Sequence, residues 1–511
     1  MNPVSVYAIN PIPFPTVNLI PAYPEIFLLI AGSAILLVDM FVGDRRRLTT
    51  YWLSIGTLVV CAVLNALYLF SGTTEYTFGN MFVGDPMANL LKLATSIAMI
   101  VTLVYSHDYL VDRGIVSGER GGEFYPLVLF AILGQFVMIS ANSFLSIYLG
   151  LELMSLAFYA LVALRRDHSA STEAAMKYFI LGALSSGFLL YGMSMLYGAT
   201  GTLDLTMLAR QLDAGVANRT ILVFGLVFIV AGLAFKLGAV PFHMWIPDVY
   251  QGAPSAITLV VGGAPKLAAF AIVLRLLVEG MISLAFDWQQ MLMILAVLSL
   301  ALGNLAAIAQ TSVKRMLGYS TISHMGFLLL GMLSGIINGN AYSAASAYSS
   351  ALFYAVVYTL TTCAAFGVLL AMSRDGYEAD HIDDFKGLGK RNPWAALVML
   401  VTMLSFAGVP PTVGFYAKFS VLSAAFATGA VWLVVFAVMM SLVGAYYYLR
   451  IVKLMYFDEP VASVAIAGAR SGRLDARIVL VANGAAIVLL GLLPDGLMQA
   501  CVTAMSRTLA S

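Results

Sequence analysis

Apolar residues run along this chain in long stretches, separated by short connections that collect most of the charge. The stretches begin near residues 22, 50, 86, 122, 142, 172, 219, 255, 288, 314, 341, 394, 430 and 475. A helix needs about 20 apolar residues to cross a bilayer's hydrocarbon core. The pattern therefore predicts about fourteen membrane spans. No stretch alternates as barrel strands do, and the runs are too long for them. Helices satisfy their own backbone groups in lipid, so the expected fold class is an all-α polytopic membrane protein. The longest polar connections, 106–121, 200–218, 373–393 and 457–477, are too short to hold a soluble catalytic domain.

The charges between the spans predict orientation. Odd-numbered connections carry sixteen basic residues: Arg45, Arg46, Arg47, Arg113, Arg120, Arg165, Arg166, Lys314, Arg315, Arg374, Lys386, Lys390, Arg391, Arg470, Arg473 and Arg477. Even-numbered connections and the termini carry three, Arg210, Arg219 and Arg507. Lys and Arg concentrate on the cytoplasmic side. The odd loops are therefore expected in the cytoplasm, with both termini on the periplasmic side of a bacterial inner membrane. A missed helix would scramble the alternation downstream, so its regularity supports fourteen spans.

Composition agrees. Of 511 residues, 61% are hydrophobic and 10% charged, with mean hydropathy +0.92. Soluble proteins are about 25% charged, so a water-soluble globule, disorder and a peripheral membrane role are excluded. A net charge of +1 gives no basic excess for nucleic acid. The three cysteines, Cys61, Cys363 and Cys501, lie far apart with no CxxC, which offers no iron–sulfur, haem or disulfide framework. No HxxxH or HExxH occurs among the five histidines. The first basic residue is Arg45 and six prolines fall by Pro24, unlike a signal peptide. Redox chemistry inside this chain is not expected.

Eight basic residues remain within spans: Lys92, Lys177, Lys236, Lys266, Arg275, Lys418, Arg450 and Lys453. An ionisable group at mid-membrane costs at least about 2.5–3.5 kcal/mol. Lys92, Arg450 and Lys453 lie near span ends, where long side chains reach the interface. Arg275 has Glu279 one turn later, and Lys177 has Glu173 one turn before. Glu152 in LGLELMSL and Lys266 in GGAPKLAAF sit near mid-span. Lys236 and Lys418 adjoin helix-breaking sequence, FKLGAVPFHMWIPDVYQGAP with Pro241, Pro247 and Pro254, and SFAGVPPTVGFYAKF with Pro410 and Pro411. His243 falls inside the first break, and His324 lies about ten residues into the tenth span.

The two breaks lie five spans apart, so their helices cross in opposite directions. Interrupted helices in corresponding positions of two halves point to an inverted-repeat transporter site. Spans 4–8 and 9–13 are thus expected to form two inverted five-helix repeats, each with a broken helix. The expected organisation is residues 1–121 for spans 1–3, 122–284 and 285–457 for the repeats, and 458–511 for the last loop and span.

Buried Lys and Glu change charge by binding protons, so making or breaking a Glu152–Lys236 pair would load or release one. Lys266, His324 and Lys418 would extend the relay towards the second repeat. Residue chemistry alone supports a proton or cation translocator without a cofactor.

The runs LGLELMSLAFYALVA, EAAMKYFILGALSSGFLLYG, FKLGAVPFHMWIPDVYQGAP, GGAPKLAAFA, KRMLGYSTISHMG and GVPPTVGFYAKF recur in order over about residues 125–425. They closely resemble the antiporter-like N subunits of bacterial respiratory NADH:quinone oxidoreductase (complex I). Related L and M subunits and Mrp-type antiporters usually carry a PDAH-like segment. This chain instead reads Pro247-Asp248-Val249-Tyr250, and lacks the L-type lateral helix. The resemblance implies a proton-translocating membrane-arm subunit. Flavin, iron–sulfur clusters and quinone would lie in partner subunits, with no cofactor in this chain. Implied neighbours are an M-type antiporter-like subunit and small K-type and J-type subunits, in contact with lipids. By motif position, Glu152 and Lys236 match a fifth-helix glutamate and its seventh-helix lysine. Lys266 matches the central eighth-helix lysine, Lys418 the twelfth-helix residue towards the outer exit, and Lys177 a sixth-helix lysine of the same polar axis. A stand-alone Mrp-type cation/proton antiporter and a structural spacer of the membrane arm are the alternatives.

Overall fold

The computed structural model describes residues 17–43, 46–116, 121–215, 218–336, 343–373, 377–460 and 474–510. The proline-rich start and the topology-setting Arg45, Arg120, Arg374, Arg470 and Arg473 lie outside them. Among the described residues, twelve helices are long and apolar enough to cross a membrane, from Ile20–Asp39 to Leu474–Leu492. Phe124–Ile139 supplies the fourth span, and Pro393–Ala407 with Val413–Ala427 together form the twelfth. All fourteen expected starts are therefore met by helices.

The structure adds what periodicity missed. A short hairpin, Glu75–Thr77 with Phe82–Gly84, joins spans two and three. Asp495–Leu509 follows the last span as a further helix and packs on spans three and eleven. The Met87 amide donates to Thr508 Oγ1 there, at 3.2 Å. The eighth span, Ser255–Gly280, is itself interrupted: one helix ends at Gly262, and the next begins at Pro265. Pro265 has no N–H to continue the ladder, so Lys266 stands in a first turn.

Burial grades from centre to edge. The eighth span is buried along all of its apolar window, the tenth along 94% and the eleventh along 83%, against 28% for the second and thirteenth. Lys266 and His324 thus sit on the most enclosed helices. Lipid tails are as apolar as leucine, so helices associate through close packing and polar contacts. Spans four and five meet at glycines: a Cβ on Gly134 would fall 2.5 Å from the Met154 nitrogen and 2.7 Å from the Gly150 carbonyl.

Two buried ion-pair clusters fasten the outer helices to this centre. Lys92 does not reach the interface as expected; it is fully buried against Glu25 of the first span. The reason is positional: its helix is packed among spans two, four, eight and eleven and the C-terminal helix. Arg275 makes the expected pair with Glu279 (2.8 Å) and adds Asp85 from the start of the third span, also at 2.8 Å. Lys453 pairs with Asp458 at the end of its helix, as an interfacial lysine does.

Gly134→Val should clash with backbone on the fifth span and cost about 1–3 kcal/mol. Immunoblots of membranes should show clearly less of this variant. Gly198→Ala, which meets open space, should match the parent.

Candidate functional site

The two helix breaks share one backbone geometry. Arg219–Leu237 ends at Gly238 (φ 83°), and Pro393–Ala407 ends at Gly408 (φ 82°). Both glycines adopt the left-handed conformation that glycine accepts without a Cβ penalty. The Gly238 amide donates to the carbonyls of Ala234 and Phe235, and Ala239 donates to Ala234. Gly408 and Val409 repeat this on Leu404 and Ser405. A cis X-Pro peptide follows in each, Val240–Pro241 and Pro410–Pro411.

A terminating helix leaves its last carbonyls without intrahelical partners. Lysines occupy those carbonyls at both breaks. Lys266 Nζ donates to Leu237 O (2.8 Å) and Lys236 O (3.3 Å), and Trp245 Nε1 donates to Phe235 O (2.9 Å). Lys418 Nζ donates to Ala407 O (3.1 Å) and Ser441 Oγ (2.8 Å). Each ammonium also lies over an aromatic face, Lys266 on Trp245 at 5.2 Å and Lys418 on Phe327 at 5.0 Å. A cation at a helix C-terminus is favoured by the helix dipole.

Lys236 points the other way, donating to Ser155 Oγ at 2.9 Å. Ser155 stands three residues after Glu152, so both occupy one face of the fifth span. Glu152 and Lys236 do not form a direct ion pair among the described residues, and Glu152 Oε1 is buried without a hydrogen bond. Ser155 Oγ in turn donates to Leu151 O (2.6 Å). Between Lys236 and Lys266 a cavity of about 20 Å³, walled by Trp245, Tyr178, Phe235 and Met154, has room for one water.

His324 is buried. Its Nδ1 bonds Tyr354 Oη (2.6 Å) and its Nε2 bonds Tyr448 Oη (3.2 Å), which also bonds Ser320 (2.5 Å). Beside it runs a second hydroxyl set, Tyr358 to Thr321 at 2.8 Å and Thr321 to Tyr250 at 3.5 Å. These tyrosines and serines were not singled out by sequence, because nothing in the apolar runs distinguishes them from the chain's other tyrosines. The one available signal is spacing: Tyr354 and Tyr358 lie one turn apart, as do Ser320 and His324.

Two expected residues fall elsewhere. Lys177 is 44% exposed and pairs with Glu173 (2.7 Å) and Asp248 (2.9 Å) at the end bearing the odd-numbered connections. There it lines a charged cavity of about 630 Å³ with Arg113, Lys314, Arg315, Asp248 and Glu378. Its position eight residues after the helix start puts it within reach of the loops rather than at mid-span. His243 is half-buried in the first break, and no hydrogen bond joins it to Lys266 or Lys418.

Glu378 ties this mouth together. It accepts from Tyr109 Oη (2.8 Å) and Ser255 Oγ (2.5 Å), and pairs with Arg113 (2.9 Å) and Lys314 (3.6 Å). Burial works to raise its pKa, but Lys314, the Ser255 hydroxyl and Arg113 outweigh it and hold the carboxyl below its usual 4.5. A depressed carboxylate contributes stability that is fully present above its unfolded pKa and lost as pH falls through its folded one. Glu378→Gln should lower thermal stability at neutral pH by on the order of 2 kcal/mol. Melting curves of variant and parent should converge as pH drops below 4.5.

The family described as NADH:quinone oxidoreductase/Mrp antiporter, transmembrane, matches residues 141–444. NADH-quinone oxidoreductase subunit N of Herminiimonas arsenicoxydans is 62% identical over 494 residues, covering 97% of this chain and 99% of its own. A chain of respiratory complex I from Thermus thermophilus superposes with TM-score 0.78 at 31% identity, over 94% of this chain and all of that one. A chain of the Mrp complex from Dietzia sp. DQ12-45-1b shares the fold, with TM-score 0.80 at 20% identity over 96% of each.

Proposed function

The chain belongs to the family of N subunits of NADH-quinone oxidoreductase, multi-pass membrane proteins of the complex's membrane arm, and from that membership we propose that it translocates protons through buried side chains. The relay we propose runs from Glu152 and Lys236 through Lys266 and His324 to Lys418, coupled to redox chemistry in other subunits. Lys177 would serve at the mouth, and His243 at the edge of the first break. Flavin, iron–sulfur clusters and quinone would be held by partner subunits. M-type, K-type and J-type subunits are the proposed neighbours. The proposed setting is a bacterial inner membrane, with the basic loops in the cytoplasm and both termini periplasmic. Spans 4–8 and 9–13 would act as two inverted repeats.

One observation carries this reading. Lys236, Lys266 and Lys418 are held by hydroxyl and carbonyl oxygens, with no carboxylate in ion-pair contact among the described residues. An ion pair favours the protonated state of its lysine. An ammonium held by neutral oxygens carries no such lock and can give up a proton without stranding a buried carboxylate. Lys92 and Arg275 have the opposite environment, each bound to carboxylates. We assign those two to structure and the three lysines to transport.

Ser155 then acquires a role. A shift of the Lys236 ammonium from Ser155 towards Glu152 would make the ion pair, and a shift back would break it. The one-water cavity beside Lys266 offers the next hop, since a water there could accept from one lysine and donate to the other.

The test replaces each kind of lysine in the assembled complex. Lys236→Met should leave assembly intact and bring NADH-driven proton pumping near background. Lys92→Met strands a buried Glu25 and should cost about 3–5 kcal/mol, reducing assembled complex instead. Normal pumping in assembled Lys236→Met would remove the relay, and reduced assembly in both would favour a purely structural role.

A further inference from the structure

Four helix ends converge at the end bearing the odd-numbered connections: the third span stops at Asp112, the eleventh at Met372, the twelfth begins at Pro393 and the fourteenth at Leu474. They enclose a cleft of about 620 Å³, separate from the relay. Its lining is mostly apolar, with Leu370, Leu480 and Val481, and Tyr105 is the lining residue of the third span farthest from the helix end. Tyr105 precedes the end of its helix by seven residues, and at 1.5 Å per residue the cleft extends about 10 Å inward. Trp394, 67% exposed, stands at the mouth, the depth at which tryptophan marks a membrane interface.

The mouth carries both signs of charge. Asp108 and Asp112 lie one turn apart on the third span, and Arg477 lines the cleft from the fourteenth. Asp108 and Arg477 make no side-chain hydrogen bond or ion pair among the described residues. An apolar slot running inward from a rim with carboxylates on one wall and a guanidinium on another suits an amphiphile whose head carries both charges.

We propose that this cleft binds one zwitterionic aminophospholipid. Its acyl chain lies along Leu370, Leu480 and Val481, its primary ammonium on Asp108, and its phosphate on Arg477. Head-group chemistry sets the selectivity. A primary ammonium donates hydrogen bonds to carboxylates, and the planar guanidinium matches a phosphate in two-point fashion. A trimethylated ammonium has no N–H to donate, and an anionic head without an amine leaves the Asp108 carboxylate facing a like charge.

The test uses the whole complex in phosphatidylcholine nanodiscs containing a phosphatidylethanolamine with a photoactivatable acyl chain. Cross-links should fall on peptides containing 367–371 or 478–482. Unlabelled phosphatidylethanolamine should compete several-fold better than phosphatidylcholine or phosphatidylglycerol. Asp108→Asn combined with Arg477→Gln should reduce labelling several-fold, with assembly checked on native gels. If that double variant fails to assemble, Arg477→Gln alone, at an exposed position, gives the same reading. Equal competition by all three lipids, or labelling unchanged in the variants, would overturn the proposal. So would a photo-crosslinking residue at position 394 that captures a neighbouring subunit's segment in place of lipid.

Discussion

A helix interrupted inside the apolar layer exposes carbonyls that neither water nor lipid can satisfy, and the rest of this molecule is arranged around that constraint. Each unsatisfied group costs several kcal/mol in lipid. At Gly238 and Gly408 the chain meets the problem alike: the glycine and following amide close two carbonyls, and a lysine closes the last, Lys266 from the eighth span at one break and Lys418 from the second half of the same span at the other. A buried lysine is itself costly. The two costs offset each other, because the ammonium needs oxygen ligands and the broken helix presents them with its negative dipole end foremost. Break, lysine and buried polar axis are thus one structural feature. Membership of the subunit N family gives that feature a setting in the membrane arm.

The buried charges separate by partner. Glu25 with Lys92, and Asp85 with Arg275 and Glu279, join carboxylates to cations across different spans and fix how the first three helices sit on the rest. Lys236, Lys266 and Lys418 instead touch serine hydroxyls and main-chain carbonyls. A held charge favours one arrangement of helices, whereas a charge on neutral ligands leaves its protonation free to change. The same amino acid meets carboxylates in one case and neutral oxygens in the other.

Much of this was legible beforehand. The fourteen starts follow from hydropathy, since each span must clear the same apolar thickness. Both major breaks were marked by Gly-x-Val-Pro or a close variant, where missing donors and forced backbone angles leave no continuous helix. Asp495–Leu509 is too polar to stand out among the apolar runs. The interruption at Gly263–Pro265 lies within apolar sequence that reads as unbroken. Lys92 was misplaced for a different reason: distance from a helix end says nothing of whether other helices wall it in.

The sequence by itself determined the membrane class, the number of spans, the positions of the breaks and which residues carry a charge where charge is costly. These follow from local chemistry: apolar length, absent proline donors and the scarcity of Lys and Glu. Only the tertiary structure decided what each charge faces. It gave Lys236 the Ser155 hydroxyl, laid Lys266 and Lys418 on the broken ends, surrounded His324 with Tyr354 and Tyr448, and paired Lys177 with Asp248. Most of those partners come from helices far apart in the chain, and helix packing in lipid depends on close steric fit between small residues such as Gly134 and Gly150. Fit of that kind is a property of two surfaces together, and no single segment carries it.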